Sequence, residues 1–458
     1  MSSHSVALES QKCIGCTDCI KRCPTEAIRV RGSKAKIIEE RCIDCGNCIR
    51  ICRNGAKKAV TDSLSTLGKY KYRIALPAPS FYAQFKKAKN ISSILSSLYD
   101  IGFTDIMEVA SAAEVITKHT ESFVKNTKDF PVISSSCPAI VRLIQRRFPS
   151  LIDHVLPVIS PMELAARYIK SKYIEKGIEE NEIGVFFISP CPAKATEIHR
   201  PKGLDKSYVD GVFSMQEIYK LIASKINSPK TKIFERQSTY KGITWATRNG
   251  AMSNGEIQSY IAVDGMESVI DILERVEDGI LSDVQFIEAF ACIGGCLGGV
   301  LTIENPFISR TEIKKWIDED IKNNFAGDIA LHSELQSINP TFEKKIRPRP
   351  VFSLDENMAK AIKMMEEIEE LTKILPKIDC GSCGAPTCRC FAEDVIKGDA
   401  NLEDCIFMLR KIIKEDAVKS ILKVLGVLVI IISLTGILEA MVVFTDGQIG
   451  FQYELLLL

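Results

Sequence analysis

Net charge is almost absent from this chain of 458 residues, in which 59 lysines and arginines balance 58 aspartates and glutamates. A broad nucleic-acid-binding surface normally brings a marked basic excess, so this balance argues against nucleic acid as a partner. The first twelve residues are polar and lack the apolar core of a signal peptide. Because the chain nevertheless contains 17 cysteines, we expect thiolates that bind metal in a reducing cytoplasm.

Two cysteine motifs near the N-terminus share one spacing, in which gaps of two, two and three residues separate four cysteines. Their members are Cys13, Cys16, Cys19 and Cys23 in the first motif, and Cys42, Cys45, Cys48 and Cys52 in the second. This spacing is typical of bacterial ferredoxins, in which the fourth cysteine of each motif binds the other 4Fe–4S cluster. We therefore expect a two-cluster, ferredoxin-like domain over residues 1–62. In it Cys52 completes the cluster of the first motif and Cys23 completes the cluster of the second. Zinc and disulfides are the alternatives, but the doubled motif does not match the usual paired spacing of zinc sites.

Beyond this segment, apolar stretches typical of short strands alternate with helical segments to about residue 305. Three of these stretches end at a cysteine: residues 130–137, 183–191 and 284–292. The alternation predicts an α/β fold with parallel sheets, in which ligands bind beyond the carboxyl ends of the strands. We therefore expect Cys137, Cys191 and Cys292 to meet at one site.

Four central cysteines, which are these three and Cys296, lie beside proline or glycine. Such residues allow the backbone to approach a bulky group closely. Buried cysteines that pack as small hydrophobic side chains are the alternative. Four thiolates suit one further 4Fe–4S cluster. We expect Lys194, three residues after Cys191, to bind an anionic group of the cofactor; a solvated surface lysine is the alternative.

A third group of cysteines lies near the C-terminus, with Cys390 left over. Its members are Cys380, Cys383, Cys388 and Cys405. In a chain that already has two clusters, we favour a third 4Fe–4S site over residues 370–412, with zinc as the main competitor. Residues 345–352 are rich in proline and arginine and predict a linker, whereas Met358–Ile374 has the spacing of a helix.

The last segment, residues 413–458, predicts an apolar helix and an irregular tail. No charge occurs from Val424 to Leu438, which is short for a membrane span, although counting past Glu439 reaches the required length. We expect a buried or partner-covered helix, with membrane association through residues 424–444 as the alternative. The ending after Phe451 has no capping or turn signal and suggests an altered or truncated end of a longer protein.

The three central motifs resemble those of the iron-only (FeFe) hydrogenases, whose catalytic domain carries three cysteine motifs in this order. Here they read Ser134-Ser-Ser-Cys-Pro-Ala-Ile140, Ser189-Pro-Cys-Pro-Ala-Lys-Ala-Thr-Glu197 and Phe290-Ala-Cys-Ile-Gly-Gly-Cys-Leu-Gly-Gly299. The resemblance implies a hydrogenase-like domain over residues 70–355. The C-terminal cysteine group resembles a small 4Fe–4S domain that follows this module in a divergent branch of the family.

The resemblance also implies an H-cluster, which is a 4Fe–4S cube linked through one thiolate to a two-iron centre with carbonyl and cyanide ligands. By motif position the cube belongs to Cys137, Cys191, Cys292 and Cys296. Cys296 then bridges to the two-iron centre, and Lys194 pairs with a cyanide, while Glu197 matches the acidic end of the second motif. The loop that packs against the two-iron centre corresponds to Ala78, Pro79 and Ser80. In such sites the protein tunes a cofactor that carries the chemistry.

Departures from the family pattern affect the proton path and the cofactor pocket but leave the iron ligands in place. The cysteine that shuttles protons in active members is Ser136 here, and a hydroxyl is far less acidic than a thiol. The acidic relay residue upstream has no clean counterpart, and His119 and Glu121 are the nearest candidates. Three cofactor-contacting positions are also changed: Met162, Ser189 and Phe290.

The resemblance therefore implies a slow or H2-sensing hydrogenase-like oxidoreductase, in which 4Fe–4S clusters relay the electrons of H2 oxidation or proton reduction. The alternative is a non-catalytic iron-sulfur electron-transfer protein without the two-iron centre. The partners that we expect are a ferredoxin or other redox protein, hydrogenase maturation proteins and a signalling partner.

Overall fold

The computed structural model describes residues 4–228, 232–252, 256–351, 354–355 and 357–456. The chain divides into two compact units, Met1–Glu356 and Asn357–Leu458. Segments 1–62 and 70–355 lie in the first unit, and segments 370–412 and 413–458 lie in the second. Residue 352 of the expected linker and the last two residues of the expected tail lie outside the described residues.

The N-terminal segment consists of two similar halves, each with a cysteine loop that leads into a short helix. Its elements are β1 Val6–Leu8, α1 Asp18–Lys21, β2 Ile28–Arg31, β3 Lys34–Ile37, α2 Asn47–Ile51 and β4 Lys57–Ala59. Strand β1 pairs antiparallel with β4, and β2 pairs antiparallel with β3. Gly15 and Gly46 have φ values of 70° and 79°, which glycine adopts without strain. These two turns bend the cysteine loops back on themselves.

Two parallel sheets form the centre of the first unit and confirm the predicted α/β class. Their strands are β5 Tyr72–Pro77, β6 Asp105–Ile106, β7 Val132–Ile133, β8 Ile183–Ser189, β9 Gly211–Ser214, β10 Tyr260–Asp264 and β11 Phe286–Phe290. The four-stranded sheet has the order β6-β5-β8-β9, and the three-stranded sheet has the order β10-β11-β7. Every residue of β8 is buried, as expected for a parallel strand covered on both faces.

Helices cover both sheets and enclose two apolar cores. They are α3 Ile91–Ser96, α4 Val109–Asn126, α5 Pro138–Arg147, α6 Pro161–Glu175, α7 Pro192–His199, α8 Met215–Ile222, α9 Tyr240–Ile243, α10 Met266–Glu277, α11 Pro306–Lys322 and α12 Ile329–Gln336. One core surrounds the four-stranded sheet, where Phe186 stacks on Phe213 with ring centroids 5.1 Å apart. The other core joins the three-stranded sheet to α5 and α10.

The three strands that lead to cysteines come from both sheets. Strands β7 and β11 of the three-stranded sheet precede Cys137 and Cys292, whereas β8 of the four-stranded sheet precedes Cys191. Cys137 and Cys191 are the N-caps of α5 and α7, and proline occupies the first turn of each helix. Because proline fixes a helical φ and needs no hydrogen bond there, each cysteine is held at a sharp strand-to-helix corner.

The segment predicted as a linker packs against the first unit over its described part. The backbone N–H of Arg349 donates to the Gln145 carbonyl at 2.8 Å, and the Gln145 side-chain amide donates to the Arg347 carbonyl at 2.7 Å. Pro-rich backbone has few hydrogen-bond donors of its own, and here helix α5 supplies the partners. The segment has no helix or strand over residues 345–351 and ends shortly before the second unit begins, so it is an irregular connection that packs on the first unit.

The second unit contains α13 Met358–Ile374, α14 Cys388–Ile396 and α15 Ile406–Leu456. Helix α13 confirms the predicted helix. The irregular tail is a wrong prediction, because α15 continues to Leu456 through a stretch without proline. Within the described residues none of its most apolar 18-residue window is buried, so this chain does not bury the helix itself, and cover by a partner stays a prediction. By length and composition Ile406–Glu439 could cross a membrane. A single helix of this kind is weak evidence for a membrane protein.

Candidate functional site

The N-terminal cysteines form two groups that exchange their last members. Cys13, Cys16, Cys19 and Cys52 line one cavity. Cys23 lies instead with the second motif. Burial raises the pKa of the Cys48 thiol to about 12 and that of Cys45 well above its usual value, and the nearby Cys23 thiol raises both further. Each group is the four-thiol donor set that a 4Fe–4S cluster requires.

Backbone amides point at the cysteine sulfurs of both groups. The N–H of Ala27 donates to Cys23 Sγ at 3.2 Å, and the N–H of Ala56 donates to Cys52 Sγ at the same distance. Such bonds stabilise thiolate charge and help to set the reduction potential of a cluster. They lie at equivalent places in the two halves, so both groups have the same polar surroundings.

Lys57 is a buried cation between the two cysteine groups. The cysteine motifs alone did not indicate it. Its side chain lines the cavity of the first group, and its charge lowers the thiol pKa of both Cys19 and Cys48. The ammonium is buried and makes no hydrogen bond within the described part of the chain. An orphaned buried ammonium fits a site that gains negative charge when iron-sulfur clusters bind. Its signal in the sequence is the excess of twelve lysines and arginines over seven aspartates and glutamates in residues 1–62.

The four central cysteines converge where the carboxyl ends of both sheets lie. Burial raises the pKa of Cys191 to about 11 and that of Cys292 to about 12, and the neighbouring Cys137 thiol adds to both shifts. Cys296 has Cys191, Cys137 and Cys292 as electrostatic neighbours. Four cysteines that meet in this way are the donor set of one further cluster.

The glycine run after Cys296 is required by close backbone contact. A Cβ atom on Gly299 would collide with the carbonyl oxygen of Pro190, which also accepts a hydrogen bond from the N–H of Leu301 at 2.9 Å. A Cβ atom on Gly298 would collide with the Ile293 carbonyl oxygen. The third motif can therefore lie directly against the second only because these positions lack side chains.

Arg50 joins the N-terminal segment to the central cysteines. It lies on α2, and its guanidinium donates to the carbonyl oxygen of Gly298 and to the Cys292 thiol. Gly46, the residue before α2, also lies close to the end of the third central motif: a Cβ atom on it would lie 2.7 Å from a methyl carbon of Val300. The second N-terminal cysteine group is thus packed against the central site.

Lys194 is a buried ion-pair partner and not a solvated surface lysine. Its side chain is 12% exposed, and its ammonium lies 2.6 Å from Glu197 Oε2. Burial opposes the charge, but the Glu197 carboxylate and the Cys191 thiol raise the pKa of Lys194 above its usual value. Lys194 is also an electrostatic neighbour of Cys296. Lys194 therefore stays charged beside the central thiols, and the Glu197 carboxylate balances its charge.

Glu163 is a second buried carboxyl near the Lys194–Glu197 pair. The cysteine motifs alone did not indicate it. Burial raises its pKa to about 7, although it accepts hydrogen bonds from Ser207 Oγ at 2.6 Å and from the N–H of Tyr208 at 2.9 Å. Lys194 and Glu197 are among its electrostatic neighbours. A lone glutamate in the apolar start of α6 is the signal that was available in the sequence.

The serines of the altered motifs make local hydrogen bonds. Ser134 Oγ donates to Ser136 Oγ at 3.3 Å. Ser189 Oγ donates to the Cys191 carbonyl at 2.8 Å and so stabilises the turn into α7. The other two altered positions, Met162 and Phe290, are buried.

The loop Ala78, Pro79 and Ser80 follows β5 and enters the 3-10 helix Pro79–Gln84. The Ser80 hydroxyl is fully buried and has no partner among the described residues. An orphaned buried hydroxyl fits a loop that faces a bound group. The proposed relay candidates are elsewhere: Glu121 accepts from the N–H of Glu256 in an exposed pair, and no described contact joins it or His119 to the central cysteines.

The C-terminal cysteine group surrounds a small cavity in the second unit. Cys380, Cys383, Cys388 and Cys405 line it, and Cys390 is buried outside that lining. The carboxylate of Asp379 accepts from the N–H of Cys388 at 2.6 Å and so holds the start of α14 beside the cavity. The geometry supplies four thiols to one centre and leaves the fifth cysteine apart.

Family models match three segments in the order of the cysteine groups. A 4Fe-4S dicluster domain matches residues 5–53, and a putative Fe-S cluster domain matches residues 375–407. The C-terminal domain of the iron only hydrogenase large subunit matches residues 71–262 and 230–300, which together span half of the chain.

Curated relatives include hydrogenases and a cluster-assembly factor. Iron hydrogenase 1 of Clostridium pasteurianum is 23% identical over 303 residues, covering 54% of this chain and 53% of that protein. The large subunit of the periplasmic [Fe] hydrogenase of Nitratidesulfovibrio vulgaris is 26% identical over 361 residues, covering 65% and 86%. The cytosolic Fe-S cluster assembly factor NAR1 homolog of Schizosaccharomyces japonicus is 28% identical over 185 residues, covering 38% and 36%. The matched part is thus about half or less of two of these three relatives.

Proposed function

This chain belongs to the iron-only hydrogenase family, and from that premise we propose that it is an oxidoreductase that exchanges electrons between H2 and its 4Fe–4S clusters, slowly or as a sensor. One observation carries the proposal. The four central thiols share one buried site with the Lys194 ammonium, which the Glu197 carboxylate keeps charged. Lys194 differs from Lys57 beside the N-terminal cysteines, because a carboxylate partner holds it three residues after a central cysteine, where the family motif has its lysine.

In this proposal Cys137, Cys191, Cys292 and Cys296 would hold the cube of an H-cluster, and Cys296 would also be the residue that attaches its two-iron centre. The bound cofactor would supply the cleavage and formation of H2. The donor set and the orphaned Ser80 hydroxyl fit such a group.

The residues around the site have roles that follow from their chemistry. The Lys194 ammonium has three N–H donors, and Glu197 accepts from it, so a further donor would bind an anionic ligand of the cofactor. Ser136 occupies the proton-shuttle position, where its hydroxyl is a poor relay at neutral pH. Buried Met162 and Phe290 exclude water. Slow turnover follows from a site that keeps its metal ligands and lacks an acidic proton donor.

Electrons would leave through the N-terminal clusters. The second N-terminal cysteine group is packed against the central site through Arg50, and the first group includes the exposed Cys16. A ferredoxin or similar redox protein would therefore dock near Cys16 in the cytoplasm. Hydrogenase maturation proteins would insert the two-iron centre, and a signalling partner or a membrane would engage the apolar helix over residues 424–444.

The direct test exposes anaerobic protein, expressed with the hydrogenase maturation machinery, to H2. Electron paramagnetic resonance should then detect reduced N-terminal clusters in the wild type. The Cys296→Ala variant, reduced chemically to show that the same clusters are intact, should stay oxidised under H2. Wild-type clusters that remain oxidised under H2 but accept electrons from dithionite would contradict the proposal.

The second candidate is an iron-sulfur protein without H2 chemistry. Two observations favour it: Ser136 replaces the shuttle cysteine, and one relative is named as a cluster-assembly factor. Four intact cubane clusters with no response to H2 would support this candidate.

A further inference from the structure

A large basic cavity lies in the first unit, beside helices α5 and α7 and the segment that returns along α5. Its volume is about 1000 Å³. Eight lysines and arginines line it against two glutamates, Glu39 and Glu40, and none of the described lining residues is aromatic. None of the cysteines lines it either, so the cavity is separate from the iron sites.

Two basic side chains of the cavity wall have little exposure: Arg142 is buried and Lys202 is partly buried. Arg142 is 4% exposed; its Nη1 donates to Asp44 Oδ2, and its Nη2 is buried without a partner in the described part of the chain. The Lys202 ammonium donates to Gln145 Oε1. A buried guanidinium nitrogen without an acceptor costs free energy that a bound acceptor would recover.

The cations of the wall also repel one another. Burial lowers the pKa of Lys202 well below its usual value, and Arg142, Arg146 and Arg349 lower it further, while Glu197 opposes them. Glu39 and Glu40 are exposed, so they do not neutralise the deep end. The lining therefore has an excess of basic side chains, although Asp44 pairs with Arg142 and Asp205 pairs with Lys344.

We propose that this cavity binds a small molecule through a di- or triphosphate group. Arginine forks match phosphate oxygens in pairs, and five of the eight basic lining residues are arginines. Arg142, which is 4% exposed, lies too deep for an acidic protein surface to reach. The volume exceeds that of a diphosphate and leaves room for an attached group, and the lack of aromatic side chains means that recognition rests on the phosphates.

The position of the cavity connects such a ligand to the electron relay. Arg146, which lines the cavity, donates to the carbonyl oxygen of Cys42. Negative charge at this place raises the cost of adding an electron to the adjacent cluster. A bound polyphosphate should therefore lower the midpoint potential of the second N-terminal cluster. This consequence depends on the ferredoxin-type clusters and not on H2 chemistry.

The test measures binding of inorganic pyrophosphate to the full-length, cluster-loaded protein by isothermal titration calorimetry at about 0.15 M ionic strength. We expect saturable binding of one pyrophosphate per chain. Arg347 and Arg349 are exposed at the rim, so the Arg347→Gln/Arg349→Gln double variant should fold normally and bind about tenfold more weakly or worse. Arg310→Gln, an exposed change on α11 outside the cavity, is the matched control and should bind as the wild type does.

A second readout is the midpoint potential of the N-terminal clusters in a redox titration with and without pyrophosphate. The potential should fall in the wild type and in Arg310→Gln, and it should fall less in the double variant. The proposal is overturned if pyrophosphate shows no saturable binding, if the double variant binds it as tightly as the wild type, or if only a polyglutamate peptide binds.

Discussion

The Asp44 carboxylate and the Arg142 guanidinium form a buried ion pair, with 3.1 Å between Oδ2 and Nη1. Asp44 lies between Cys42 and Cys45, and it also accepts hydrogen bonds from the N–H of Ser5 and from Thr196 Oγ, at 2.8 and 2.9 Å. Arg142 lies on α5 and Thr196 on α7, the helices that begin at Cys137 and Cys191. One carboxylate therefore ties the second N-terminal cysteine loop to both helices of the central site.

Replacing this carboxylate should destabilise the first unit strongly. Asp44→Asn leaves the Arg142 charge buried without a counter-ion, which typically costs about 3–5 kcal/mol. Thermal unfolding of anaerobic, cluster-loaded protein measures the loss. The control is Glu182→Gln, which breaks the exposed pair with Lys71 and should cost at most about 1 kcal/mol. Equal losses in the two variants would show that Asp44 has no special role.

Glu163 should make stability fall as pH rises. Burial raises its pKa from 4.5 to about 7, so the folded protein holds this proton more tightly than the unfolded chain does. The stability linked to that proton is complete below pH 4.5 and is lost as pH rises through about 7. Glu163→Gln, which stays neutral, should gain stability over the wild type on the order of 3 kcal/mol at pH 8. The gain should shrink as the pH is lowered towards 5; a gain independent of pH would refute this assignment.

Cys390 should be dispensable for metal binding. It is buried outside the cavity that the other four cysteines of its group line. Cys390→Ala should keep the full iron content, whereas Cys383→Ala should lose about four irons per chain. Iron, sulfide and zinc analysis of reconstituted protein decides the matter. If the wild type itself contained zinc and about four irons fewer than four clusters require, this cysteine group would be a zinc site.

Ser136→Cys should raise H2 turnover. A positioned proton donor typically contributes about 10²–10⁴-fold to a rate, and a thiol is far more acidic than a hydroxyl. The increase should be smaller than that full range, because no described contact links an upstream acid such as Glu121 to this position. Ser150→Cys adds an exposed thiol elsewhere and should leave the rate unchanged. A rate that stays flat in Ser136→Cys would move the limitation to the altered pocket at Met162, Ser189 and Phe290.

The cysteine groups could be predicted from the sequence because metal ligation depends on short spacings and on strand ends. The α/β class followed from the alternation of apolar strands and helices. Such patterns are local, and local backbone geometry decides which thiols of one loop can face the same centre. The helix over Met358–Ile374 was predictable for the same reason.

Features that depend on distant parts of the chain were not predictable. Asp44, Lys57 and Glu163 acquire their roles only when segments far apart in sequence meet. The predicted linker packs along α5 because Gln145, about two hundred residues earlier, supplies its hydrogen-bond partners. The length of α15 was missed because a helix without a proline can continue where no capping signal is visible.

Infrared spectroscopy of the protein expressed with the hydrogenase maturation machinery tests the central claim most directly. Carbonyl and cyanide bound to iron absorb in a region where protein does not. The account predicts both sets of bands in the wild type and their loss in Cys296→Ala, with the N-terminal clusters retained in both proteins. A wild-type protein with about sixteen irons, as four cubane clusters require, and with no such bands would contradict it.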